Sequence, residues 1–301
     1  MLVYRIATGA TLIAALVAVL ILDERFAPWY PFWFLTSSVV MLASAMEVVG
    51  LLSATGVKPS GNTVFGGLLA IIIANWAPHI ALYFGSGSSH LLPYDAAAAA
   101  TVLAWPLWAF VAVLMLSFLG QGAQFQVPGA AMSTVAATVL ATAYVGLLGS
   151  FIIQFRWLEG PHDGLIPLAL LIATAKGADT GAYTVGRLAG RRKLIPRLSP
   201  NKTVEGAIGG LAFAVVATLI VVASARSAGI TTFSWLTAVG FGLIVGLAAQ
   251  LGDLMESMIK RDCARKDASA TLPGFGGVLD VMDSLLFAGP VAYGYWLAFG
   301  P

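Results

Sequence analysis

Apolar runs of about 20 residues, parted by short polar or Gly/Pro-rich breaks, recur from one end of the chain to the other. They lie near 4–22, 32–54, 63–84, 97–118, 128–148, 164–186, 204–223, 234–256 and 284–300. A run of that length crosses the hydrocarbon layer as a helix, whereas a membrane barrel would show short alternating segments, and the chain has none. The pattern predicts an all-α fold, a polytopic membrane helical bundle of about nine transmembrane helices. We expect residues 1–301 to form a single integral membrane domain, with N-terminal transmembrane spans in 1–150. The polar, site-bearing half is 151–301, with long loops at 187–203 and 257–283. The stretch "ILDERFAPWY" after the first run offers no clear small-x-small cleavage site, so that run is expected to stay as a span. The Ala run at 96–100 reads as a helix start, and no internal repeat is evident.

Composition agrees with the pattern. Charged residues are 10% of the chain and hydrophobic ones 59%, against roughly 25% charged in a typical soluble domain. The net charge of +2, with no basic stripe interleaved with aromatics, argues against nucleic acid as a partner. Cys263 is the single cysteine, which excludes an internal disulfide. The placement of charge is more informative than its sum. With nine spans, Arg5, Lys58, Arg187, Arg191, Arg192, Lys193, Arg197, Lys202, Lys260, Arg261, Arg265 and Lys266 fall on one side. Only Arg25, Arg156 and Arg226 fall on the other, and Lys176 lies within a span. The positive-inside rule then puts the N-terminus and both charged loops in the cytoplasm, for a multi-pass protein of the cell (inner) membrane.

Three stretches carry the polar chemistry. In "ATAKGADTGAYTVGR", 173–187, Lys176 and Asp179 interrupt a span three residues apart, on one helix face. They read either as a structural ion pair or as a polar site within reach of lipid head groups. In "GRRKLIPRLSPNKTVEG", 190–206, five cations share one loop, which alone would signal no more than topology and attraction to anionic lipid. The same loop also holds Ser199, Asn201, Lys202 and Thr203 directly before a helix whose first N–H groups lack partners, a place that suits phosphate.

The third stretch, "SMIKRDCARKDASATLPGFGGVLDVMDS", 257–284, carries much of the chain's charge. Asp280 and Asp283 stand three apart at the start of the last helix, and Asp253 closes the preceding span on the same side. Converging carboxylates repel unless a cation lies between them, and hard oxygen ligands of that number suit Mg²⁺, with Asp253, Asp280 and Asp283 as the metal ligands. Lys260, Arg261, Arg265 and Lys266 could neutralise nucleotide phosphates, and Gly274, Gly276 and Gly277 let backbone approach a ligand. A DxxD at a helix start is common by itself; the combination with the basic run and the glycines makes it a candidate site. Glu47, alone in the second span, reads equally as a buried hydrogen-bonded helix contact or as a site residue, and stays outside the candidate set.

The order Ser257, Lys260, Arg261, Lys266, Asp267, Ser269, Leu272, Pro273, Gly276, Gly277, Asp280, Asp283 resembles the C-terminal signature of phosphatidate cytidylyltransferases, or CDP-diacylglycerol synthases. "ADTGAYTVGRLAGRRKLIPRLSPNKTVEGAIGG" is similar to the central region of the same family, so the likeness covers roughly the C-terminal half. The chain departs from the family pattern at Phe275, where His is usual, and at Val281, where Arg is usual. Both carboxylates remain, so the metal site should survive while one hydrogen-bonding contact and one positive charge are missing, which bears on rate or substrate preference.

The resemblance implies transfer of a cytidylyl group from CTP to phosphatidate, giving CDP-diacylglycerol and pyrophosphate, in phospholipid biosynthesis. It implies Asp253, Lys260, Arg261, Lys266, Asp267, Asp280 and Asp283 as catalytic residues. Asp179, Arg197, Ser199, Asn201, Lys202, Thr203, Gly276 and Gly277 become substrate-binding residues, and Mg²⁺ the cofactor. CTP, phosphatidate and membrane lipid are the expected partners, and a homodimer is admitted. Such transfer needs alignment and charge neutralisation more than covalent chemistry, which cation and Lys/Arg supply. Three other readings are weighed. A CDP-alcohol phosphatidyltransferase fits poorly because "DCAR" and the Asp280–Asp283 spacing are wrong for it. A transporter would keep its charges near the midplane and show repeat symmetry. An inactive or altered-specificity relative would share the motifs without the reaction.

Overall fold

The computed structural model describes residues 2–86, 96–126, 128–158, 164–230 and 232–300. Its helices are α1 (Leu2–Asp23), α2 (Pro31–Ala54), α3 (Gly61–Ser86), α4 (Ala96–Ala123), α5 (Ala131–Trp157), α6 (Leu165–Ala189), α7 (Val204–Ser227), α8 (Trp235–Asp262) and α9 (Leu279–Phe299). Among the described residues eight of these are long and apolar enough to cross a membrane. The ninth, α9, has the length but opens with Asp280 and Asp283. The chain is a mostly helical, multi-pass membrane bundle, as the apolar pattern predicts.

Two boundaries move. The fifth helix was expected to stop near 148 but runs to Trp157, through a π-helical turn at Ala143–Leu147 and a 3₁₀ turn at Phe155–Trp157. The polar side chains at this end of the helix are held inside by partners distant in sequence. Gln154 donates to Asn75 Oδ1 at 3.0 Å and pairs with His79 at 3.0 Å, and the fully buried Arg156 is ion-paired to Glu24. The loop expected at 187–203 also contains a small antiparallel hairpin, β1 (Lys193–Ile195) with β2 (Ser199–Thr203). Lys193 pairs with Thr203 and Ile195 with Ser199, so the second strand has two more residues between paired positions than the first, and the ladder bulges.

The helices gather into two compact units. The first is Met1–His162 with Asp262–Val281. The core of its helices holds indoles and polar side chains together: Trp33 Nε1 donates to Ile153 O at 3.2 Å, Trp76 Nε1 to Trp29 O at 2.9 Å, and His79 stacks on Trp157 with centroids 4.1 Å apart. Each buried polar group named here has found a partner, which is what burial away from water demands.

The second unit is Asp163–Arg261 with Met282–Pro301. Here α6 and α7 pack backbone to backbone through five glycines. A Cβ on Gly206 would lie 2.8 Å from Ala182 O, and one on Gly210 would lie 2.8 Å from Ala178 O. One on Gly177 would lie 2.8 Å from the Ala217 methyl, and Gly181 and Gly209 are equally tight. Small residues at helical spacing are how membrane helices approach closely when no hydrophobic force drives them together. Gly242 and Gly246 extend the close contact from α7 to α8. At the end of the unit remote from the hairpin, Phe233, Phe241, Tyr295 and Trp296 pack ring on ring, and Tyr295 donates to Thr237 O at 2.9 Å, tying α8 to α9.

Candidate active site

Helix α7 starts where β2 ends. Thr203 caps it, accepting from Gly206 N at 3.0 Å, and Glu205 in the first turn accepts from the N–H groups of Arg191 and Arg192 at 3.0 and 3.1 Å. A hydroxyl cap plus an acidic first turn is a strong helix-start signal, and it fixes β2 against α6 and α7. Between these elements and α8 lies a cavity of about 460 Å³, lined by Asp179, Tyr183, Arg187, Ser199, Lys202 and Asp253 among others. Asn201, Thr203 and Gly206 also line it, so of the residues expected to bind substrate in this unit all but Arg197 face one space. Arg197 sits exposed at the hairpin tip.

Two ion pairs stand at this cavity. Lys202 Nζ lies 2.7 Å from Asp253 Oδ2, with both side chains partly exposed. Lys176 Nζ lies 3.0 Å from Asp179 Oδ2 and 2.8 Å from Ser284 Oγ, and Ser284 Oγ is in turn 3.0 Å from Asp179 Oδ2, closing a triangle across α6 and α9. Ion pairing holds both charges of this interrupted span and still leaves the Asp179 carboxylate at the cavity wall.

On α8, Gln250, Asp253, Glu256 and Lys260 follow at helical spacing along one face. Asp253, Glu256 and Asp283 each offer a carboxylate oxygen within 4.8 Å of the others, an arrangement able to hold a metal ion. Glu256 is fully buried and ion-paired to Lys260 one turn on. Arg261 Nε donates to Leu198 O at 3.3 Å, joining the end of α8 to the hairpin.

The loop 263–278 belongs to the first unit. Asp280 Oδ2 accepts from Gly277 N at 2.6 Å and Ala268 N at 3.1 Å, so this carboxylate fastens the loop to the start of α9. Glu47 Oε1 accepts from Ser269 Oγ at 2.6 Å, Thr271 Oγ1 at 2.9 Å and Val278 N at 3.0 Å, and its Oε2 accepts from Leu279 N at 2.7 Å. Lys266 and Asp267 are exposed, as are Arg265 and Phe275. Cys263 is buried; that burial, and then the Asp262 carboxylate, push its thiol above the ordinary value, so it is no activated nucleophile.

A sequence model of the cytidylyltransferase family matches residues 3–299 of the chain. The chain belongs to the cytidylyltransferase family. Among curated proteins it is 38% identical to a phosphatidate cytidylyltransferase of Bacillus subtilis (strain 168) over 154 residues, covering 51% of this chain and 55% of that protein. It is 40% identical to the phosphatidate cytidylyltransferase of Staphylococcus aureus (strain COL) over 153 residues, with the same coverages. It is 38% identical over 132 residues to the uncharacterized protein YnbB of Escherichia coli (strain K12), covering 44% and 43%. The chain spans about half the length of the curated relatives it matches.

Within this cytidylyltransferase-family chain, two acidic residues stand outside the candidate set read from sequence, Glu256 unweighed and Glu47 weighed with its role left open. Glu256 stands three residues after Asp253 on a helix, a spacing that was legible but was passed over in favour of Asp280. Glu47 was legible as a lone carboxylate in an apolar span, which is by itself a sign of a special role.

Proposed function

We propose that this protein is a phosphatidate cytidylyltransferase. A phosphate oxygen of phosphatidate attacks the α-phosphorus of CTP, the bond from that phosphorus to the bridging oxygen of the β-phosphate breaks, and pyrophosphate leaves with its electron pair. CDP-diacylglycerol remains in the membrane. The observation that carries this reading is the cavity where Lys202 and Asp253 pair beside the Asp253, Glu256, Asp283 cluster, in a membrane-spanning chain of the cytidylyltransferase family.

A lipid substrate must present its head group from the bilayer while the nucleotide arrives from water. A cavity bounded by two glycine-packed membrane helices on one side and a polar hairpin on the other suits that meeting. Lys202, with Ser199 and Asn201 beside it, binds phosphate oxygens and moves no proton. Asp179, oriented by Lys176 and Ser284, accepts hydrogen bonds from substrate hydroxyl or amino groups. Lys260 acts indirectly by holding Glu256.

Three carboxylates this close repel one another unless cations intervene; Lys202 is ion-paired to Asp253 and Lys260 to Glu256. Oxygen donors of this kind fit Mg²⁺, which Asp253 and Asp283 would hold with Glu256 as the third carboxylate. When bound, the ion neutralises phosphate charge. The positive-inside asymmetry supports a hairpin that faces the cytoplasm, in a cell (inner) membrane.

The test is direct. Purified protein in lipid nanodiscs, given phosphatidate, α-labelled CTP and Mg²⁺, should yield a labelled lipid and release pyrophosphate. Absence of labelled lipid from a well-folded preparation would defeat the proposal.

A further inference from the structure

We propose that Glu47 is a positioning residue, and that the glycine pair at 276–277 exists to admit carboxylates of the protein itself. Glu47 is buried to 9% exposure within α2, yet both of its oxygens are turned to the signature loop, where they take two hydroxyl and two backbone donors. Its partners span Ser269 to Leu279, so one side chain fixes both ends of the glycine-containing turn.

The opposite clamp is Asp280, whose Oδ2 takes Ala268 N and Gly277 N. Together the two carboxylates use the N–H groups of Ala268, Gly277, Val278 and Leu279, the donors that a phosphate at this helix start would otherwise need. The glycines match this use. A Cβ on Gly276 would lie 2.5 Å from Asp280 Oδ2, and one on Gly277 would collide with the Glu47 carboxylate. Gly276 also has a φ of +98°, a conformation that side chains resist. Leu272 and Gly276 close the turn with backbone bonds of 2.7 and 3.1 Å. The residues that resemble a phosphate cradle in sequence are thus a socket for two acids.

A neutral amide cannot replace Glu47. Glutamine keeps one acceptor oxygen and turns an NH₂ group toward a donor, leaving at least one buried N–H or hydroxyl unsatisfied. The consequence for the reaction rests on the function proposed above: a loop that carries Lys266 and Asp267 on a loosened frame should handle nucleotide less well.

Hydrogen exchange on the full-length protein in nanodiscs, compared between parent and Glu47→Gln, tests the clamp without reference to activity. Exchange should quicken in the segment 268–280 and stay at parental rates in α6, α7 and α8. Parental protection across 268–280 overturns the proposal, and so does loss of protection throughout the chain, which would make Glu47 a general fold residue. In the labelled-lipid assay, Glu47→Gln should raise KM for CTP about tenfold or more, as loss of an orienting partner typically does, with KM for phosphatidate unchanged. A lower active fraction would reduce kcat alone and count against positioning. Thr271→Val and Ser269→Ala each remove one donor and should move exchange and KM the same way by less; no change in either variant also overturns the proposal. If the parent makes no labelled lipid the proposed activity fails, while the exchange result still decides the role of Glu47.

Discussion

Lys202 Nζ stands 2.7 Å from Asp253 Oδ2 at the wall of the same cavity, with 26% and 33% of the two side chains exposed. At that exposure the pair adds at most about 1 kcal/mol to stability, so its value is in where it holds the ammonium. Lys202→Ala should reduce cytidylyl transfer on the order of a hundredfold, the usual cost of removing a positioned charge donor. Lys202→Arg should lose less, since the charge remains in a different shape. Steady-state rates with both substrates varied check this, with unchanged melting temperatures showing that the fold is intact.

The two aspartates at the start of α9 should part company. Asp283 lies in the acidic cluster, and Asp283→Asn should raise the Mg²⁺ concentration needed for half-maximal rate about tenfold or more. Asp280→Ala instead removes the acceptor of two backbone N–H groups, and should speed hydrogen exchange in 268–280. Mg²⁺ titrations of both variants side by side distinguish the roles.

Glu256 and Lys260 form a buried ion pair, and removing one partner strands the other charge. Lys260→Met should cost about 3–5 kcal/mol, read as a large drop in thermal stability. The double variant Glu256→Met with Lys260→Met should regain much of that stability and still fail to turn over.

Much of the bundle was legible because a bilayer imposes one length and one composition on every span. The hairpin was not, since Lys193–Ile195 is only three residues long and Ser199–Thr203 is polar throughout but for a proline. Lys202, Asp253 and Asp283 could be chosen from charge at helix ends. The proximity of Glu256 to Asp253 and Asp283 could not, because the pull of Asp280 toward Gly277 N and of Glu256 toward the cluster depends on how the helices turn. Gln154 and Arg156 misled the end of α5 for a related reason: their partners, Asn75 and Glu24, are distant in sequence.

The glycine seam offers a stability test. A side chain on Gly181 would sit 2.5 Å from Phe213 Cβ and 2.7 Å from Gly209 O. Gly181→Val should therefore destabilise by about 1–3 kcal/mol or more. Gly50→Ala and Gly66→Ala, where no atom lies within 4 Å of the added carbon, should melt at or above the parental temperature.

Cys263 should react slowly. With its thiol buried and its ionisation suppressed, alkylation by iodoacetamide at neutral pH is expected to run about tenfold or more below that of a free thiol. Denaturation should abolish the difference, as mass spectrometry of the modified chain would show.

The backbone contact of α6 with α7 also divides the mutational freedom of a single helix. Ile208, Val216 and Ile220 project from α7 with more than half of their surface exposed, where one branched or straight apolar residue serves as well as another. Gly206, Gly209 and Gly210, on the same helix, have a neighbour's atoms within 3 Å of any added carbon. Under saturation mutagenesis with selection for growth, α7 should read as two interleaved sequences. One would drift freely among Leu, Ile, Val and Phe, and the other would be held to a hydrogen atom.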